Sequence, residues 1–248
     1  MRRYSSPSQV TYTFGPGPLS LAIKALIWAN AAMFVITLLV PDIALFLALV
    51  PAAIVGRLFI WQPVTYLFLH DGLFHLLFNM LALWMFGTDL ERTWGTRFFL
   101  RYYFVTGIGA AATTVLLSLA PLPFADLLYY TPTVGASGAI YGLLLAYGLT
   151  FPNRPVYLYL LFPIPARVFV LIMGAIALLS SISGGGSNIA HSAHLGGLVV
   201  GYVYLRMGRG NPLAALKYRY TRMRMNQLRR KFEVHPGGRR DDWEKRVH

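Results

Sequence analysis

Two side chains in this 248-residue sequence have the chemistry of an acyl-transfer pair, Ser137 and His194. Ser137 stands in Gly135-Ala136-Ser137-Gly138, where small neighbours let a peptide backbone come close. If a helix starts there, its unpaired N–H groups suit a developing negative charge. By itself the run is also the signature of a serine N-cap in a glycine-rich turn. His194 stands in Ala193-His194-Leu195-Gly196-Gly197, with Gly201 further on. Gly197 and Gly201 make one GxxxG face and Gly138 and Gly142 another, a pattern that lets helices pack closely in a membrane. His194 shares the face of Gly197, and Ser137 adjoins Gly138. Packing the two faces together brings the hydroxyl within reach of the imidazole. A neutral imidazole that takes the hydroxyl proton turns a serine into a nucleophile. Tyr141 lies on the face of Ser137 and is placed to pack on that ring.

A second group lies earlier. His75 and Asn79 are one helical turn apart and both carry hydrogen-bond donors. With the backbone N–H of Ser137 they would make an oxyanion hole. The competing reading is that both residues tie helices together by interhelical bonds. His70 reads as structural, joining a loop to the bundle. Carboxylates are absent from the segments that carry Ser137 and His194, so a dyad is expected, not a triad. Its imidazole must then be oriented by packing or by a neutral hydrogen bond. His191, His194, His70 and His75 could in principle hold zinc, but the chain has no HExxH, no intramembrane carboxylate and no cysteine. No metal and no cofactor are expected. His235 and His248 fall in a polar tail and read as solvated.

The elements that must position these residues read as membrane helices. The chain is 56% hydrophobic and 12% charged, against about 25% charged in a soluble domain. Continuous apolarity favours helices over a membrane barrel. Six spans are expected: Leu21–Val40, Leu69–Phe86, Phe98–Leu119, Ser137–Thr150, Val168–Ile182 and Ile189–Leu205. Ile43–Phe59 is apolar but broken by Pro51, and reads as a loop lying partly in the membrane. Six spans put Arg2, Arg3, Arg92, Arg97, Arg101, Arg154, Arg167 and the basic tail on one side, with Lys24 at the inner end of the first span. Only Arg57 falls on the other side, together with Asp42, Asp71 and Asp126. A seventh span would mix the charges, so the positive-inside rule selects six, both termini cytoplasmic.

The fourth span is short. Its 14 residues cover about 21 Å, less than a hydrocarbon core of ~30 Å. The stretch before it, Pro121–Val134, carries three prolines and Asp126 and reads as loop. Ser137 would therefore start a helix below the outer surface, where non-helical backbone survives only against protein or a wet cavity.

The organisation expected is a tail over 1–20, one helical domain over 21–207 and a basic tail over 208–248. The net charge of +13 concentrates in that last tail, with Lys217, Arg219, Arg222, Arg224, Arg229, Arg230 and Lys231. It reads as an anchor for anionic lipid head groups, worth about 1 kcal/mol per charge near the surface. Nucleic acid is not expected, because no recognisable binding fold accompanies the charge. Met1–Ser20 lacks the apolar core of a signal peptide, so the first span is expected to direct its own insertion.

Taken in order, four blocks of this sequence resemble the rhomboid family. They are Trp61-Gln62 with His70, His75 and Asn79; Gly87 through Glu91, Arg92, Trp94 and Gly95; Gly135-Ala136-Ser137-Gly138 with Tyr141; and Ala193-His194 with Gly197 and Gly201. The resemblance covers Trp61 to Leu205 and implies an all-α, six-span bundle with a partly embedded loop between the first two helices. It implies an intramembrane serine endopeptidase that cuts single-span membrane proteins through an acyl-enzyme. Carried over, Ser137 is the nucleophile, His194 the general base, and Ser137 N–H, His75 and Asn79 the oxyanion hole. Tyr141 stacks on His194, Gly135 and His70 support the site, Glu91 is a cytoplasmic anchor, and the segment after the fifth span is a cap. Gln62 departs from the Trp-Arg common in the family and puts the rigidity of the loop in question. The expected partners are transmembrane substrates and lipids, the expected place a bacterial inner membrane, with the site open to the extracytoplasmic side. The rivals are a client-binding relative without activity, which would lack Ser137 or His194, and a transporter, which would need a polar path open to both faces.

Overall fold

The order of the helices follows from where the chain runs out of apolar residues or meets a backbone it cannot wind. In a computed structural model, which describes residues 17–158, 162–182, 188–207, 221 and 224–225, α1 spans Leu21–Leu39. Ser20 caps it, its hydroxyl accepting from the Ile23 amide. Two short helices follow, α2 (Asp42–Leu47) and α3 (Pro51–Arg57), so the segment read as loop carries local helix on both sides of the break. Pro51 sits in the first turn of α3, where its missing N–H costs nothing. A further turn, α4 (Gln62–Thr65), precedes the second long element.

That element starts at Leu73, not Leu69. Gly72 has φ +94°, a conformation no helix continues, and the helix α5 (Leu73–Ala82) begins after it. It does not stop at Phe86 either. A π-helical turn, Leu83–Gly87, carries it into α6 (Thr88–Trp94). Gly95, with φ +79°, breaks α6 from α7 (Thr96–Ser118).

The stretch read as loop before Ser137 contains α8 (Ala125–Tyr130), a correction to the sequence reading. Asp126 stands in its first turn, where the helix dipole favours a carboxylate. Then comes α9 (Ser137–Thr150), ten of whose fourteen residues are buried, which makes it the centre of the bundle.

The all-α expectation also needs amending. After α9 the chain forms an antiparallel hairpin, β1 (Pro155–Leu158) and β2 (Phe162–Pro165), with Val156 opposite Ile164. Pro152, Pro155, Pro163 and Pro165 exclude helix there and leave extended backbone. Two further helices follow, α10 (Ala166–Ile182) and α11 (Asn188–Arg206).

Helix α11 packs on α7, α9 and α10. The approach to α9 is so close that a Cβ on Gly197 would overlap the Gly138 carbonyl. Among the described residues three helical stretches are long and apolar enough to cross a membrane, Leu21–Leu39, Leu73–Trp94 and Thr96–Ser118; Ser137–Thr150 and Ala166–Ser181 are shorter apolar helices. Arg2, Arg3, the proposed cap after the fifth span, His235, His248 and nearly all of the basic tail lie outside the described residues.

Candidate active site

Three contacts fix the approach to Ser137. Leu49 and Thr133 exchange both backbone hydrogen bonds, at 3.0 and 2.9 Å, in an isolated bridge. The Gly135 amide donates to the Tyr66 carbonyl at 2.9 Å. Tyr66 in turn is fully buried and its hydroxyl donates to the Gly107 carbonyl at 2.7 Å. The loop between α1 and α5 and the start of α9 are thereby one rigid piece. That loop is itself pinned at Phe46. Trp61 Nε1 donates to its carbonyl at 3.0 Å and Gln62 Nε2 at 3.3 Å, while Gln62 Oε1 accepts from the Val50 amide at 3.0 Å. Gln62 is fully buried and uses both ends of its amide, so the charge absent from this position is replaced by two neutral bonds.

Ser137 is the first residue of α9, so its amide has no partner inside the helix. Its hydroxyl is 2.8 Å from His194 Nε2. For the hydroxyl to donate, the imidazole proton must sit on Nδ1. That atom is buried without a hydrogen-bond partner among the described residues. The ring is held by packing: Tyr141 stacks on it with centroids 4.1 Å apart and planes 8° from parallel, and His191 sets its ring edge-on at 5.6 Å. His191, a candidate metal ligand by its sequence, instead meets His194 here, and its i, i+3 spacing from His194 is the visible signal for this contact.

His75 lies on the other wall. Its Nδ1 accepts from the Asp71 amide at 3.3 Å, which puts the proton on Nε2. A Cβ on Gly135 would lie 2.8 Å from that Nε2 and 3.7 Å from Ser137 Oγ. Gly135 has φ +119°, so both its backbone and its neighbours require glycine. The space it leaves open lies between an N–H donor and the hydroxyl. Asn79 borders the same cleft, although its Nδ2 donates to the His75 carbonyl at 2.7 Å, leaving one of its amide hydrogens for another acceptor. His70 is buried beside His75, centroids 5.0 Å apart, and does not border the cleft that holds Ser137. Burial pushes its imidazole down to about 4, and neighbouring His75 adds to this.

On the opposite end of the helices, Glu91 accepts from the hydroxyls of Ser20 and Thr96. Arg154 pairs with Asp89 at 2.9 Å.

The cleft holding Ser137 and His194 has a volume of about 550 Å³ and mostly apolar walls. The arrangement has the parts of acyl transfer: a hydroxyl on a base, and donors on one side of it. Seen against known proteins, residues 57–210 match the family model described as Rhomboid domain. The chain is 35% identical over 144 residues to Rhomboid protease GluP of Bacillus subtilis, covering 57% of this chain and 25% of that protein. It is 33% identical over 138 residues to Rhomboid protein 1, mitochondrial, of Saccharomyces cerevisiae, covering 55% and 38%. Over 156 residues it is 33% identical to Rhomboid protease AarA of Providencia stuartii, covering 57% and 53%. The matched segment thus spans from a quarter to about half the length of these relatives.

Proposed function

The chain belongs to the rhomboid family, and from that membership we propose that it is an intramembrane serine endopeptidase acting through the dyad Ser137–His194. The observation that carries this is the 2.8 Å contact between Ser137 Oγ and His194 Nε2 inside an apolar cleft. In the proposed reaction Ser137 Oγ attacks a peptide carbonyl carbon while its proton passes to Nε2. The Ser137 amide, His75 Nε2–H and the free Asn79 N–H stabilise the oxyanion. The imidazolium then protonates the leaving amine; water, deprotonated by the same ring, attacks the acyl carbon, and the ring returns that proton to Ser137 Oγ as the Oγ–acyl bond breaks and the acid leaves.

The proposed substrates are single-span membrane proteins entering from the lipid between the second and fifth spans. Helix-destabilising residues in them should help, because an unwound backbone must find new partners. The six-span arrangement, with both termini on the basic cytoplasmic face and the dyad open to the other, is supported by the distribution of charge. The relatives come from bacteria, yeast and plants; a bacterial inner membrane is our reading, and fractionation of cells expressing the protein checks it.

The decisive measurement is cleavage of a single-span reporter by wild type and Ser137→Ala at equal expression. The variant should be inactive, and wild type alone should take up a fluorophosphonate probe. Undiminished cleavage by Ser137→Ala would overturn the assignment.

A further inference from the structure

The cleft at Ser137 does not end with the dyad. It continues along α5 and the π-helical turn from His75 to Phe86, and Phe169 of α10 with Val156 and Tyr157 of β1 also line it. On α9, the helix that Ser137 begins, the cleft is lined from Ser137 to Leu144. From Asn79 or His75 down to Phe86 the cleft covers seven to eleven residues of helix, about 10–16 Å at 1.5 Å each.

The part of the cleft at Phe86 is firmly packed. Phe86 is set edge-on to Tyr147 at 5.0 Å and stacks on Phe169 at 5.9 Å, which is where the second and fifth spans meet. It stands in the π-helical turn, a feature that recurs at functional sites. The base of the hairpin is tied down three times. Arg154 pairs with Asp89 of α6 at 2.9 Å, the Ala166 amide donates to the Arg154 carbonyl, and the Arg167 amide donates to the Pro152 carbonyl. Val156 is buried, while Tyr157 keeps about half its surface open and faces the cleft. A loop free to move would need none of these ties.

We propose that Tyr157 of β1 is a depth stop for the substrate, touching the part of its transmembrane segment that remains helical, seven to eleven residues beyond the scissile bond. This rests on the proteolytic reading above and deepens it. Only the residues at the dyad need to unwind. The segment below them stays helical because the apolar walls offer no partners for free N–H and C=O groups. At the hairpin, between Arg154 and Arg167 on the face that the charge distribution makes cytoplasmic, the segment must leave the cleft. A chain extended over the same distance would bring to Tyr157 a residue only about three to five beyond the bond, at ~3.3 Å per residue.

The chain has no cysteine, so engineered thiols report cleanly. The experiment uses Tyr157→Cys in a Ser137→Ala background, co-expressed with a single-span reporter whose cleavage point is mapped with wild type. One cysteine is walked through the reporter from two to sixteen residues beyond that point, and crosslinks are formed with copper phenanthroline. Phe162→Cys, exposed on β2 and outside the cleft, is the control, and thermal unfolding checks that both variants fold. We expect crosslinks to Tyr157→Cys to peak between seven and eleven residues, at least fivefold above those to Phe162→Cys. A peak at three to five, or equal yields from both positions, overturns the proposal. So does an absence of crosslinks in folded protein whose wild-type form takes up fluorophosphonate. If wild type neither cuts the reporter nor takes up the probe, the proteolytic reading fails and the depth stop falls with it.

Discussion

Tyr141 lies flat on His194, 4.1 Å between ring centroids, and no carboxylate among the described residues orients that ring. In a triad the third residue fixes the ring by a hydrogen bond. Here a stacked phenol does so through its face, and the hydroxyl of Tyr141 plays no part in that contact. Tyr141→Phe should therefore keep reporter cleavage within about threefold of wild type. Tyr141→Ala removes the stack, worth roughly 0.5–1.5 kcal/mol beyond area burial, and leaves the imidazole free to rotate. We expect kcat to fall at least tenfold with KM little changed, measured by steady-state cleavage in detergent. Equal losses in the two variants would mean that the hydroxyl, not the ring face, is what matters.

Gly135 meets two demands at once. Its φ of +119° is strained for any residue with a side chain, at about 1–3 kcal/mol, and a Cβ would press on His75 Nε2 at 2.8 Å. Gly135→Ala should cost activity at least a hundredfold, since it displaces His75, the proposed oxyanion donor, and crowds the space beside Ser137. Fluorophosphonate labelling should fall in step with cleavage. A variant that labels normally yet fails to cut would place the fault in substrate entry instead.

Ser137, His194 and Tyr141 were legible in the sequence because small-residue faces at i, i+4 spacing tell which sides of two helices meet. The contact of Gly197 with the Gly138 carbonyl is the physical form of that pattern. The start of the fourth helix at Ser137 was legible too, from the prolines before it. What escaped were features set by tertiary contact. Nothing local marks Tyr66 as the residue that receives the Gly135 amide, or Leu49 and Thr133 as a bridge. The π turn at Leu83–Gly87 has no composition of its own. The hairpin could have been suspected from its three prolines and Pro152 before it, but an apolar run beside a membrane helix is ambiguous between strand and span.

Gln62 tests how a neutral amide does the work of a charge. It is fully buried, accepts from the Val50 amide and donates to the Phe46 carbonyl. Gln62→Leu fits the space yet strands the Val50 N–H, at about 1–3 kcal/mol. Gln62→Arg supplies donors for the Phe46 carbonyl but no acceptor for the Val50 N–H. Both variants should lower the unfolding midpoint, by roughly 2–10 °C, and both should speed proteolytic nicking between Ala48 and Phe59. Cleavage activity should fall less than stability. An unchanged midpoint for Gln62→Arg would show that the loop is held chiefly by Trp61 and Thr65, whose donors also reach this segment.

His70 gives the protein a pH dependence with a definite sign. Its imidazole lies in the loop before α5, buried at 8% exposure, and both ring nitrogens lack hydrogen-bond partners among the described residues. Burial lowers its pKa in the folded protein from an ordinary 6.5 to about 4. The unfolded chain therefore binds the proton more readily. Above pH 6.5 both states are neutral and the contribution to stability is complete. As pH falls from 6.5 toward 4, the unfolded state is protonated first and that stability is lost. The size is about 3 kcal/mol, from 1.36 kcal/mol for each factor of ten in proton affinity. For a chain of this length it corresponds to roughly 6–12 °C in the unfolding midpoint. His70→Phe keeps an aromatic ring in the space and removes the titration. Midpoints of wild type and variant in detergent, taken from pH 7 to pH 4, should diverge in slope below pH 6.5, with wild type falling faster. Parallel curves would mean that His70 is hydrated in the folded protein and that the acid sensitivity comes from other groups.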